Sequence, residues 1–258
     1  MMRCAILLSS ALTASALDRL PYNNPGLTVD LGVGLWAWPV PCDADGDGDY
    51  DLMVSCPDKP SNGVYLFENA TGDTAMNKLP VFKPARRISG TQHYVMPSYV
   101  NGRLRVLTPG FEYPDFEKSG LSKKTALGAK TGFYIPEGTA RGGPRLRHNQ
   151  WRYADYDGDH RPDIIVGIED WSHYGWDNAW NEKGEWTNGP LHGIVFVFRN
   201  SGTAESPQYG DPFQVHAAGR PVDTYGCPSP NFVNGDDDDD LDLICGEFLD
   251  RFTWFENI

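Results

Sequence analysis

A ten-residue acidic stretch occurs three times in the chain: DADGDGDYDL at residues 43–52 (loop 1), DYDGDHRPDI at 155–164 (loop 2) and NGDDDDDLDL at 234–243 (loop 3). Each copy has a carboxylate or amide at position 1, carboxylates at positions 3, 5 and 9, and an aliphatic residue at position 10. A short apolar run, typical of a buried strand, continues from each copy. The common spacing indicates a repeated unit in which an acidic loop joins two strands.

The charge of the chain is concentrated in these loops. The 258 residues have a formal net charge of −13, and the loops hold 15 of the 35 acidic residues but one of the 22 basic ones. Carboxylates at alternate positions of a tight loop repel one another unless a cation lies between their oxygens. Calcium suits a flexible oxygen cage, whereas magnesium demands a stricter octahedron. The pattern predicts about three calcium ions, although a solvated acidic turn is the alternative for any single copy. The negative charge also disfavours nucleic-acid binding.

The loops are not EF-hands. That motif requires a bidentate Glu at position 12 between two helices, whereas position 12 here is Val54, Val166 or Cys245. Each loop is preceded by one candidate strand and followed by two or three, which indicates a unit of four strands. A fourth copy, PSYVNG at 97–102, resembles PNFVNG at 230–235 but lacks the acids. Four-stranded units that recur about every 40 to 60 residues are typical of propeller blades. We therefore expect an all-β fold, a β-propeller with blades at about 28–90, 91–148, 149–220 and 221–258.

The pattern Asp-x-Asp-x-Asp-Gly-x-x-Asp-Leu followed by strands resembles the FG-GAP, or VCBS, repeat. That repeat builds the calcium-bearing propellers of integrin α subunits and of many secreted bacterial proteins. His160 and Asp239 stand where the pattern has Gly, and both residue types tolerate a left-handed backbone better than most. The resemblance implies side-chain ligands at positions 1, 3, 5 and 9 and a backbone carbonyl at position 7. These are Asp43, Asp45, Asp47, Asp51 and the Asp49 carbonyl; Asp155, Asp157, Asp159, Asp163 and the Arg161 carbonyl; and Asn234, Asp236, Asp238, Asp242 and the Asp240 carbonyl.

The family's rings usually have seven blades. Two arrangements remain open for the four visible units. Residues 27–31 could supply a missing strand and close a four-bladed ring, or the sequence could be a fragment of a longer ring. We favour the fragment, because the sequence stops within the repeat.

The N-terminus has the features of a targeting segment. A basic residue, an apolar stretch and the small residues Ala14-Ser15-Ala16 follow in the order of a secretory signal peptide at 1–16. The alternative is an apolar first strand or helix. No later segment has the roughly 20 apolar residues of a membrane span. We expect a secreted, periplasmic or cell-surface protein whose propeller occupies residues 17–258.

Four cysteines remain after that segment: Cys42, Cys56, Cys227 and Cys245. If the residue before each loop faces position 10, Cys42 and Cys56 lie about 13 Å apart, beyond the ~7 Å reach of a disulfide. The same register places Cys245 opposite Asn231. We expect free, largely buried thiols, with bridges between blades left open.

The third unit has an insertion at about residues 170–193, which contains four of the eight Trp residues. Long insertions on a scaffold tend to carry function, and aromatic faces beside polar groups suit sugar rings. The candidate ligand-binding residues are Trp171, His173, Tyr174, Trp176, Asp177 and Trp180. The ligand would be a glycan or an extracellular protein. One alternative is that the Trp residues form a satellite core. Another is a polysaccharide lyase or glycosidase, for which no catalytic residue is assigned.

Overall fold

The computed structural model describes residues 33–72, 80–136, 146–236, 238, 240–249 and 251–257. Within these ranges the chain is built from antiparallel strands, with one short helix, α1 (Phe116–Ser119). No helix of this part of the chain has the length and apolar character needed to cross a membrane. The expected signal peptide and the candidate closing strand at 27–31 lie outside the described residues.

The first two units each form a four-stranded sheet with its strands in chain order. Sheet 1 consists of β1 (Trp38–Cys42), β2 (Asp51–Cys56), β3 (Gly63–Phe67) and β4 (Arg86–Ser89). Sheet 2 consists of β5 (Met96–Val100), β6 (Arg103–Thr108), β7 (Phe111–Tyr113) and β8 (Thr125–Ala126). The prediction of an all-β chain containing four-stranded antiparallel units is confirmed.

The third unit has additional strands. Sheet 3 consists of β9 (Leu146–Ala154), β10 (Asp163–Asp170), β11 (His192–Phe198) and β12 (Phe213–Gln214), and β15 (Asp223–Thr224) pairs with the other end of β11. Between them, β13 (His216–Ala217) and β14 (Arg220–Pro221) form a hairpin. Sheet 4 consists of β16 (Ser229–Val233), β17 (Asp242–Gly246) and β18 (Phe252–Phe255).

Consecutive sheets enclose apolar cores between their faces. The core of sheets 1 and 2 includes Val40 and Val106, whereas the next residue of β6, Leu107, belongs to the core of sheets 2 and 3. In the same way Ile164 packs toward sheet 2 and Ile165 toward sheet 4. This alternation follows from the two-residue period of a strand. All eight residues of β10 are buried, because both faces of its sheet are covered.

The first strands of successive sheets lie side by side. β1 contacts β5, β5 contacts β9, and β9 contacts β16. Loops 1, 2 and 3 connect the first and second strands of sheets 1, 3 and 4. The acidic loops therefore occupy equivalent positions in three of the four units.

The expected register of the acidic hairpins was wrong by one residue. Cys42 pairs with Asp51 rather than Leu52, and Cys245 pairs with Pro230 rather than Asn231. The second strand begins at position 9 of each loop, one residue earlier than expected, and its Asp pairs with the residue before the loop in sheets 1 and 4. The four described cysteines are free, as expected, and Cys42, Cys56 and Cys245 are buried.

Candidate functional site

Loop 1 gathers three carboxylates. Oxygens of Asp43, Asp45 and Asp47 lie within 4.8 Å of one another. Asp43 shapes the loop by accepting hydrogen bonds from the backbone N–H groups of Gly46 (2.7 Å) and Gly48 (3.1 Å). Both glycines have positive φ, 84° and 95°, a conformation that residues with a Cβ adopt at a cost. Positions 1, 3 and 5, predicted as ligands, are therefore brought together.

The Asp at position 9 ties each loop to its sheet. Asp51 accepts one hydrogen bond from Ala44 N (3.0 Å) at position 2 and another from Asn69 N (2.7 Å) beyond the third strand. The same pair of bonds recurs in the other units: Asp163 with Tyr156 (3.0 Å) and Asn200 (2.7 Å), and Asp242 with Gly235 (3.0 Å) and Asn257 (2.9 Å). The resemblance implied that this carboxylate is a metal ligand. The structure shows in addition that the carboxylate clamps the unit together.

The side chain at position 7 of loop 1 has an unexpected environment. The prediction concerned the Asp49 backbone carbonyl, yet the Asp49 carboxylate is 2% exposed, and neither oxygen has a hydrogen-bond partner among the described residues. Burial raises the pKa of this carboxyl, and neighbouring carboxylates, led by Asp47, raise it further. At the same position in loop 3, Asp240 Oδ1 is also buried without a partner in the described part of the chain. A bound cation would compensate such groups.

Loop 2 has the same convergence but a different charge balance. Oxygens of Asp155, Asp157 and Asp159 lie within 4.8 Å of one another, and His160 takes the left-handed position with φ of 63°. The Arg199 guanidinium pairs with Asp157, and the side chain of Arg161, whose carbonyl was the predicted ligand, pairs with Asp159. Within the described ranges, no Lys or Arg side chain forms an ion pair with the three clustered carboxylates of loop 1. A cation at loop 2 would therefore compete with two Arg side chains for its carboxylates.

Loop 3 is described except for residues 237 and 239. Burial raises the pKa of Asp236, as does a hydrogen bond with the neighbouring carboxyl of Asp238. Asn234, at position 1, is exposed. Two carboxyl groups in such close contact favour either a shared proton or a bound cation.

The insertion divides its aromatic residues between packing and solvent. Trp171 is fully buried, with its ring centroid 5.0 Å from that of Tyr174. Tyr174 in turn stacks on Trp186 at 4.6 Å and donates a 3.0 Å hydrogen bond to Asp177. By contrast, the side chains of Trp176 and Trp180 are 65% and 61% exposed. Trp171 therefore belongs to a satellite core, which supports two exposed indoles, and ligand binding by these indoles stays a prediction.

A chain of polar contacts lies beside this core. His173 Nδ1 is 2.9 Å from His192 Nε2, and His192 Nδ1 is 2.6 Å from an Asp223 carboxylate oxygen. The sequence did not indicate Asp223, because the pairing of β15 with β11 is what places it beside His192. A pairing between such distant short strands leaves no local signal in the sequence.

Comparison of the chain with protein-family models, curated proteins and solved structures found no match.

Proposed function

We propose that this chain is a secreted, calcium-stabilised β-propeller of the FG-GAP/VCBS type that binds glycans through its aromatic insertion. The propeller is supported by four successive antiparallel sheets whose first strands are neighbours and whose faces enclose three cores. Blades arranged around an axis have these relationships. The repeated clamp of the position-9 Asp supports a common ancestry of the three acidic units.

The arrangement of the carboxylates in loop 1 is the observation that supports calcium binding. Three carboxylates converge within 4.8 Å, and the buried Asp49 carboxylate has no hydrogen-bond partner among the described residues. A buried, unpaired carboxylate destabilises a fold by its lost hydration. Calcium takes six to eight oxygen ligands and would compensate these charges. Asp43, Asp45 and Asp47 would hold it, with Asp49 and Asp51 contributing from the buried side.

The observation that carries glycan binding is the exposure of Trp176 and Trp180 on a packed support. Exposed apolar side chains that cluster on one surface mark an interaction site more often than single ones do. A sugar ring can place its C–H face on an indole while its hydroxyls bond to nearby carboxylates and amides. Asp177, next to Trp176 in the chain, provides such an acceptor while it is bonded to Tyr174.

The glycan proposal is tested by retention on immobilised polysaccharides and on a glycan array. Trp176→Ala and Trp180→Ala should each weaken retention at least about tenfold, because each removes a stacking surface. Trp254→Ala is the matched control, since Trp254 is 48% exposed but lies on β18 of sheet 4. Retention that is equal in all four proteins, or lost equally in the control, would remove the insertion from the binding site.

A second function, polysaccharide cleavage, is favoured by the His173–His192–Asp223 chain. The Asp223 carboxylate can orient the His192 imidazole toward His173. The two imidazoles can then pass a proton to a substrate group at the surface. The test is incubation with acidic and neutral polysaccharides, followed by assays for unsaturated and reducing ends. Turnover that His173→Ala abolishes would make the protein an enzyme. Glycan retention without new chain ends would support the binding module.

A further inference from the structure

A cluster of three potential metal ligands lies away from the acidic loops. It joins His148 of β9, Glu169 of β10 and Cys227, which precedes β16. His148 Nδ1 is 2.8 Å from Glu169 Oε2 and 3.1 Å from Cys227 Sγ, and Cys227 Sγ is 3.2 Å from Glu169 Oε1. An imidazole, a carboxylate and a thiol thus meet at one point.

The surroundings hold these groups in place. Glu169 is fully buried and also accepts a 3.1 Å hydrogen bond from the Cys227 backbone N–H. A buried carboxylate with several donors is held in its ionised form. Cys227 has a positive φ of 37°, which is uncommon for a residue with a Cβ. The backbone is therefore held in an unusual conformation at the residue whose sulfur contacts His148 and Glu169.

We propose that His148, Glu169 and Cys227 form a mononuclear Zn²⁺ site with an exchangeable fourth position. Zinc is bound by thiolate at about 2.3 Å and by imidazole or carboxylate at about 2.0 Å, and three protein ligands plus water is the usual open arrangement. Tetrahedral angles with those bond lengths separate the ligand atoms by about 3.3–3.6 Å. The observed separations of 2.8–3.2 Å would lengthen by about 0.3–0.6 Å, and Glu169 would turn one of its two oxygens toward the ion.

Ligand type and charge select zinc over the calcium of the acidic loops. Calcium prefers oxygen ligands alone, whereas sulfur and nitrogen favour zinc. Binding releases the Cys227 proton, so that one thiolate and one carboxylate neutralise the two charges of the ion. A neutral buried cluster avoids the cost of an isolated buried charge.

A cavity lies on the His148 side of the cluster. His148 lines this cavity of about 340 Å³ together with Trp36, Trp38, Gln150 and Arg152. The Trp36 ring lies 5.3 Å from the His148 ring. In the proposed site, water from this cavity would supply the fourth ligand.

The test uses Co²⁺ as a spectroscopic substitute for Zn²⁺ in protein that was first stripped of metal and then saturated with calcium. One equivalent of Co²⁺ should produce a thiolate-to-cobalt charge-transfer absorption, and Zn²⁺ should abolish it. Cys227→Ser should remove the band, and His148→Gln and Glu169→Gln should each weaken binding at least about tenfold. Cys245→Ala is the control, because Cys245 is a buried free thiol in β17. Wild-type protein without the band, or Cys227→Ser protein with unchanged zinc affinity, would overturn the proposal.

A second measurement needs no variant. Cys227 is the partly exposed member of the four described cysteines, and the other three are buried. Among these four thiols, iodoacetamide should therefore label Cys227 first, as identified by peptide mapping. Saturating Zn²⁺ should slow this labelling at least about tenfold, because the thiolate is then bound to the metal. An unchanged labelling rate would overturn the site even if every variant failed to fold.

Discussion

One carboxylate oxygen of Asp163 accepts a 2.7 Å hydrogen bond from the backbone N–H of Asn200, 37 residues further along the chain. Its second oxygen accepts a 3.0 Å bond from Tyr156 N inside loop 2. The carboxylate therefore connects the start of the acidic loop to the end of the third strand. Since Asp51 and Asp242 make the same connections, position 9 stabilises the fold whether or not a metal is bound.

Asp163→Ala should lower the free energy of unfolding by about 3 kcal/mol, because it leaves two backbone N–H groups without their charged acceptor. The loss should be present in chelator as well as in calcium, as measured by urea unfolding. Asp211→Ala is the control: Asp211 is highly exposed, with Lys130 3.6 Å away, and its removal should cost less than about 0.5 kcal/mol. A loss that occurs in calcium alone would show that Asp163 acts as a ligand rather than as a clamp.

Chelation should lower the melting temperature of the wild-type protein, and added calcium should restore it. Calcium at 100 times its dissociation constant stabilises by about 2.7 kcal/mol per site. Asp45→Ala should reduce this calcium-dependent gain, with little effect in chelator, because Asp45 is exposed and its carboxylate lies in the loop 1 cluster. A melting temperature that ignores both chelator and calcium would contradict the structural role of the metal.

The Asp49→Asn substitution should stabilise the fold in chelator and destabilise it in calcium. Burial raises the pKa of Asp49 above its usual value of about 3.9. The folded state then binds this proton more tightly than the unfolded state, so ionisation of Asp49 opposes folding at and above the folded-state pKa. In chelator at neutral pH the variant should be the more stable protein. Its advantage should vanish as the pH falls through the raised pKa toward about 4.

In calcium, wild type should be the more stable of the two, because the variant lacks one carboxylate near the ion. Other titrating groups are common to both proteins, so the difference between their urea midpoints isolates Asp49. If wild type remains the more stable protein in chelator at neutral pH, the carboxylate has a partner that compensates its charge.

The spacing of the acidic residues predicted the hairpins and the convergence of Asp43, Asp45 and Asp47, because alternation and loop position are local properties of a sequence. The hairpin register was missed by one residue, since the Asp at position 9 serves as both loop anchor and strand residue. The cluster of His148, Glu169 and Cys227 could not be predicted. These residues come from three separate segments, and their meeting depends on how sheets 3 and 4 pack.

The two groups of Trp residues in the insertion should respond differently to truncation. Trp171→Ala should cost about 3–5 kcal/mol, because its indole is fully buried. Trp176→Ala should change the free energy of unfolding by less than about 0.5 kcal/mol, because 65% of Trp176 is exposed. Urea unfolding measures both. A costly Trp176→Ala substitution would mean that its indole belongs to the satellite core and is not free to meet a ligand.

Arg199→Gln should strengthen calcium binding at loop 2. The Arg199 guanidinium pairs with Asp157, so it competes with a cation for that carboxylate. An exposed ion pair is worth up to about 1 kcal/mol, which corresponds to a gain in affinity of about fivefold. Calorimetric titration in an Asp45→Ala background resolves this gain, because loop 1 is weakened there. Arg220→Gln, at an exposed position of β14, is the control for a general change in net charge. An equal gain in that control would assign the effect to overall charge rather than to release of Asp157.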